Sequence, residues 1–468
     1  MTRTFARIII VAFAFASTFP LHARVEAPLL SVTWLDRHDP AREDARLAVR
    51  WHGDAGHPVQ VWADLDDDGD WSVDELLVEH ATIVGPVTII SVPGVGDRRR
   101  ANAADGTRFR LAVGSPAMPI ASIVLNAEGT WSQLGAFGVA DTPRAFAIYL
   151  GDLIMAGQFI GIGGGNHRYI ARWDGSTWSH LGAGMSTAVH ALTVYNGELI
   201  AAGTFATAGG VPASRIAKWN GSSWSALGDG IGGTVNALAV YNDELIAAGG
   251  AETAGGAAAS RIARWNGSTW AELGAIDGTV HVLAVHDGHL VAGGGFFSAG
   301  GVSVDRIAKW NGSTWSRFGY VDADVYALAV HEGSLYAGGD FTAAAGATGA
   351  NYVARWTGTT WAGVGGGVDN VVRVLGVYNG DLIAGGRFGM AGGVTASRIA
   401  AWNGGTWSSL GSGIHGGGPT SGIVRSLGNY GTRLTVGGVF SGAGDVSLLS
   451  MAAWEGAGSD PIFDNGFE

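Results

Sequence analysis

Cysteine is absent from all 468 residues. That removes disulfides, thiol catalysis and zinc–thiolate sites together, and leaves the chain to hold itself together through its apolar core. Charge is also scarce: 15% of residues are charged, the formal balance is −12, and lysine occurs only twice against 26 arginines. A nucleic-acid partner needs a broad basic face to meet phosphates, and no basic stretch supplies one. Long apolar runs are missing as well. The strongest, Ile8 to Phe15, is too short to span a bilayer, but it follows Arg3 and Arg7 and precedes Leu21-His22-Ala23. This order predicts a signal peptide over 1–23, hence a secreted protein (periplasmic, cell-surface or extracellular) without a membrane span; a buried N-terminal strand is the alternative.

What the chain has in abundance is glycine, 78 residues, within a composition that is 47% hydrophobic. It also repeats. The phrase Arg215-Ile-Ala-Lys-Trp-Asn-Gly-Ser-Ser-Trp-Ser-Ala-Leu-Gly228 recurs with small edits, and its second tryptophan falls at 131, 178, 224, 270, 315, 361 and 407. Steps of 45 to 47 residues, built from short β-like runs and Asn-Gly pairs, predict a β-propeller. In the copy spanning 189–227, four strand-like runs are expected: Val189 to Tyr195, Glu198 to Gly203, Arg215 to Trp219 and Trp224 to Leu227. Asn196-Gly197 and Asn220-Gly221 read as two-residue hairpin turns. On that reading Trp219 faces Ser222, and the two tryptophans are diagonal neighbours on one sheet face, as core packing rather than exposed sugar platforms. Seven inner strands can be counted. The last repeat lacks its outer strand and Trp131 to Leu134 lacks an inner one, so the two ends are expected to complete one blade and close the ring.

The region before the repeat, 24–122, reads as a small β-sandwich with strands near Leu47–Trp51, Val59–Trp62, Val87–Val92 and Arg108–Val113. The repeat domain is placed at 123–458, with a tail at 459–468. Within the first region, Asp64, Asp66, Asp68, Asp70 and Glu75, with Gly69 at the turn, match the spacing of a calcium loop. Ca²⁺ takes six to eight oxygens, and glycine lets the carboxylates converge. A tryptophan at the eighth position and strand-like flanks place this loop in a β setting with a structural ion; a solvated acidic turn is the alternative.

Gly pairs after the second strand (Gly249-Gly250, Gly338-Gly339, Gly385-Gly386, Gly437-Gly438) and the later tryptophan of each copy resemble kelch blades. The phrase as a whole is similar to that of secreted bacterial proteins matching the cortical-marker family. The resemblance covers about 121–458 and implies a propeller, a bacterial source and a function anywhere between oxidase and noncatalytic binding module. The preference for arginine over lysine fits a GC-rich genome. An oxidase of the galactose-oxidase kind needs a Tyr–Cys cross-link, which a chain without cysteine cannot make. Trp173-Asp-Gly-Ser-Thr-Trp178 has the wrong Asp–Gly spacing for a sialidase Asp-box, and the sequons at Asn220, Asn266 and Asn311 read as turn chemistry.

One position carries chemistry without repeating itself. The second residue of each inner strand is Arg144, His190, Asn236, His281, Tyr326, Arg373 and Arg425 in turn, polar every time while flanking positions such as Val189, Leu192, Val235 and Leu238 stay apolar. A purely structural role would tend to repeat one residue, as Arg does at 215, 261, 306 and 398. The variation points to a ring at the mouth of a central channel that would favour an anionic ligand; a merely hydrated channel is the bland alternative. Two functions follow: a noncatalytic binding protein for a glycan or protein partner, or an enzyme acting on an anionic polysaccharide, a lyase or glycosidase. The second needs an acid and base in reach of each other. Asp229, Asp277, Asp322, Asp324, Asp340 and Asp369 are scattered over different repeats, so binding leads.

Overall fold

The computed structural model describes residues 129–456, except 136–137, 140, 163–164, 345–346, 349 and 417–421, together with the backbone of seven strands between 30 and 125. The expected leader and the tail at 459–468 lie outside the described residues. All regular structure described is β.

The chain divides into two compact units, one of them Trp131–Trp454. In the other, two antiparallel sheets are seen. Leu30–Trp34, Ala45–Trp51 and Val87–Val92 form one; Leu76–Thr82, Pro58–Asp64, Phe109–Ser115 and Met118–Leu125 form the second. Sequence reading found four of these seven strands and ended the region at 122, three residues short of the last strand's end at Leu125.

The repeat unit carries seven four-stranded antiparallel sheets. The second is representative: Val189–Tyr195, Glu198–Gly203, Ile216–Trp219 and Trp224–Ala226, hydrogen-bonded in that order. Its first hairpin turns on Asn196-Gly197 with φ of +49° and +74°, the paired positive values of the turn whose twist suits adjoining strands. The second strand is buried at five of six positions, which is why all of it after Glu198 is leucine, isoleucine, alanine and glycine. The seventh sheet draws on both ends of the unit: Ile423–Tyr430, Arg433–Val439 and Met451–Glu455 are completed by Thr130–Ser132. First strands of consecutive sheets pack side by side, and that of the seventh packs beside Pro143–Tyr149 of the first, with Ser426 Oγ donating to Pro143 O at 3.1 Å.

The tryptophan hairpin corrects one expectation. Trp219 pairs directly with Trp224, not Ser222. Asn220 and Ser223 close a longer turn, in which Asn220 Oδ1 accepts the N–H groups of Ser222 and Ser223, both at 2.9 Å. A short polar side chain that can cap its own turn thus outcompetes the two-residue hairpin. The two rings sit directly across the strands, with centroids 5.3 Å apart. Trp224 Nε1 also donates to Leu181 O, 2.9 Å away in the preceding sheet. The same reach recurs from Trp178, Trp270, Trp315, Trp361, Trp407 and Trp131. Eleven of the fourteen paired tryptophans are buried, which makes them inter-sheet mortar and not exposed platforms.

The glycine-rich loop between second and third strands holds a two-stranded hairpin of its own, such as Thr207–Ala208 with Val211–Pro212. The segment entering each sheet bridges to it, as Met185 does to Ala208.

Candidate functional site

Each of the seven polar positions is the extra residue of a β-bulge. In the second sheet Val189 pairs with Gly203 and Ala191 with Ala202, leaving His190 without an opposite residue. The same register shift isolates Arg144, Asn236, His281, Tyr326, Arg373 and Arg425. A bulge re-aims the side chain it frees. Here it lets a polar residue stand in a strand whose neighbours are buried.

The bulge has a sequence cause. Gly157, Gly203, Gly249, Gly294, Gly339, Gly386 and Gly438 each follow their bulge residue by thirteen positions. A Cβ at any of them would stand 2.0 to 2.3 Å from a backbone oxygen just before the bulge, which no other residue can accommodate without moving the strand.

The side chains then meet from sheet to sheet. His190 Nδ1 donates to Asn236 Oδ1 at 3.4 Å, and Asn236 Nδ2 donates to Val280 O at 3.1 Å, beside His281. The His281 ring lies 5.0 Å from that of Tyr326, whose other neighbour is the Arg373 guanidinium, 4.1 Å from the ring centre. Arg425 is within electrostatic reach of Arg373, Arg387 and Arg144, and Arg144 in turn of His190. All seven are partly buried.

Burial and repulsion shape their charge. Arg425 is held below the ordinary guanidinium value, first by desolvation and then by Arg144, Arg373 and Arg387. Arg144 is lowered by desolvation against the pull of Asp141. His190 is pushed down by burial and by Arg144 against its bond to Asn236. Burial also lowers His281, opposed by Asp324 at 3.6 Å and reinforced by Arg373. These shifts move imidazole charging below pH 6.5, so His190 and His281 add positive charge to the ring only in more acidic solution.

The acids resolve into different jobs. Asp277 Oδ1 accepts the N–H groups of Phe297 and Ser298, Asp322 Oδ1 those of Thr342 and Ala343, and Asp369 Oδ1 those of Gly389 and Met390. They clip the entering segment to the hairpin loop, as Ser186 Oγ does with Ala206 and Thr207. Asp324 is bound by Arg306 Nη1 at 2.9 Å and faces His281. Asp229 and Asp340 are exposed. Sequence reading missed Arg387, the exposed residue that follows Gly386, and the Arg306–Asp324 pair; both come near the ring only through strand pairing.

Of the expected calcium ligands, Asp66, Asp68, Asp70 and Glu75 lie outside the described residues. Asp64 ends the strand Pro58–Asp64, which pairs with Leu76–Thr82. No family model, curated protein or solved structure matches the chain.

Proposed function

We propose that the seven sheets are the blades of a closed seven-bladed propeller of kelch-like type, and that the bulge residues line the mouth of its central channel. The protein is then a secreted, noncatalytic binding protein of bacterial type, which presents that mouth and its loops to an anionic glycan or an acidic protein partner. The observation that carries this reading is that every sheet sets a polar bulge residue at the same place on its first strand, and that these first strands pack side by side from sheet to sheet. The side-by-side first strands and the shared seventh sheet support closure. The enzymatic alternative has one acid–base candidate, Asp324 at 3.6 Å from His281, but Arg306 also holds that carboxylate, and those of Asp277, Asp322 and Asp369 are occupied by loop N–H groups. Binding of anionic oligosaccharides, uronate-containing and sulfated, to the purified chain and to an Arg373→Ala, Arg425→Ala variant tests it. The variant should bind at least about tenfold more weakly, because charge-assisted hydrogen bonds are lost, with a melting temperature that does not fall. Equal affinity removes the ring from the function.

The first unit is read as a sandwich whose acidic motif binds a structural Ca²⁺. Crowded carboxylates repel one another until a cation neutralises them, and a ligand that binds only the folded state raises its stability. Calcium should therefore raise that unit's melting midpoint, and EGTA should lower it. Superimposable melting curves would leave the motif as an ordinary acidic turn.

A further inference from the structure

The ring is chemically two-sided. From His190 through His281 its polar atoms find partners: His190 with Asn236, Asn236 with Val280 O, and His281 with Asp324, which Arg306 also holds. From Arg373 to Arg144, across the sixth, seventh and first sheets, they do not. Arg373, Arg387, Arg425 and Arg144 follow one another there, and among the described residues none of the four has a carboxylate in salt-bridge contact. Arg144 Nη2 reaches Gln158 Oε1 at 3.2 Å, but the Nε atoms of Arg144 and Arg425 are buried without any hydrogen-bond partner. A buried charged donor left unpaired is costly, and a fixed array of like charges raises the cost. Such an array is explained by a ligand that supplies the missing acceptors.

Charge and geometry narrow that ligand. A carboxylate brings one negative charge and two oxygens, enough for one guanidinium fork. A phosphate monoester brings nearly two charges and three strong acceptor oxygens arranged around one centre, which suits several forks presented by neighbouring strands. We propose that the arc formed by Arg144, Arg373, Arg387 and Arg425 is a binding site for a phosphate monoester group carried by the ligand. This assignment rests on the ring being a ligand site and goes beyond it by naming the anion.

The test uses the purified full chain and titration calorimetry with inorganic phosphate, glucose 6-phosphate and glucuronate at fixed ionic strength. Phosphate and glucose 6-phosphate should bind, and glucuronate should bind at least about tenfold more weakly, the difference expected from one lost charge-assisted contact. Arg387→Gln alters an exposed residue and is expected to fold normally. It should weaken the phosphate compounds about tenfold, with Arg373→Gln adding to the loss at a melting temperature that does not fall. Glucuronate binding as tightly as glucose 6-phosphate, with both weakened by Arg387→Gln, overturns the phosphate assignment while keeping an anion-binding ring. Phosphate binding indifferent to both substitutions puts the phosphate site elsewhere and overturns it too. If none of the three binds, and the anionic oligosaccharides fail as well, both readings fall.

Discussion

At the scale of single residues, desolvation dominates the charges of the ring. His190 is surrounded by Arg144 and Asn236, and His281 by Asp324, Tyr326 and Arg373; in both, burial outweighs the one favourable partner. His167, stacked on His180 at 4.3 Å, is lowered for the same reason. A histidine whose folded value lies below its unfolded one binds fewer protons when folded, so stability rises with pH through that interval. The contribution is fully present above the unfolded value near 6.5 and is lost as pH falls below it. The melting temperature should therefore decline on acidification from pH 7 to 5, and a His190→Asn, His281→Asn variant should decline less steeply. An unaltered slope in that variant would assign the acid sensitivity to other groups. The identity of all seven polar residues was legible in the sequence, because polarity in an otherwise apolar strand position needs no structure to be noticed. Their pairing was not, since the alignment of His281 with Asp324 or of Arg425 with Arg387 depends on which strands adjoin.

At the scale of the strand pair, the bulge and its glycine act as one device. The thirteen-residue interval from polar residue to glycine places the glycine opposite the bulge once the hairpin folds, where the bulge needs a partner with no side chain. A bulge is defined by what stands on the neighbouring strand, so alternation along one strand could not reveal it; the Gly pairs were visible, and their first reading was as a blade signature. Gly386→Ala would put a methyl 2.1 Å from Val371 O. It should destabilise the unit by about 1 to 3 kcal/mol, the usual cost of forcing atoms into a packed site, and displace Arg373 enough to weaken anion binding. Chemical denaturation and the same titration measure both effects, and an alanine tolerated without loss of either would disconnect the glycine from the bulge. The tryptophan turn teaches the complementary lesson. Asn-Gly was correctly seen as a turn, but its length was set by Asn220 capping its own backbone, an interaction that the dipeptide alone does not distinguish.

At the scale of the molecule, the repeat period located six sheets outright, and the unmatched halves at 131 and 454 located the seventh. This was legible because an open strand edge is a liability that a chain with two half-repeats can remove by pairing them. Trp131 is where that pairing is held: it is buried, its ring lies 5.0 Å from that of Trp454, and its Nε1 donates to Leu410 O at 2.9 Å. It joins the start of the repeat unit to strands more than 270 residues later. Contacts of such separation restrict the chain most, because every intervening residue must be ordered before they form. Trp131→Ala should therefore cost about 3 to 5 kcal/mol, the range for removing a large buried aromatic, and its effect should spread beyond its own sheet. Hydrogen exchange would locate the loss: protection should fall in Met451–Glu455, in Ile423–Tyr430 and in Pro143–Tyr149, the first strand packed beside it. Protection lost only around residue 131, with the first sheet unchanged, would mean that the shared seventh sheet does not seal the ring and that each end of the repeat is stable without the other.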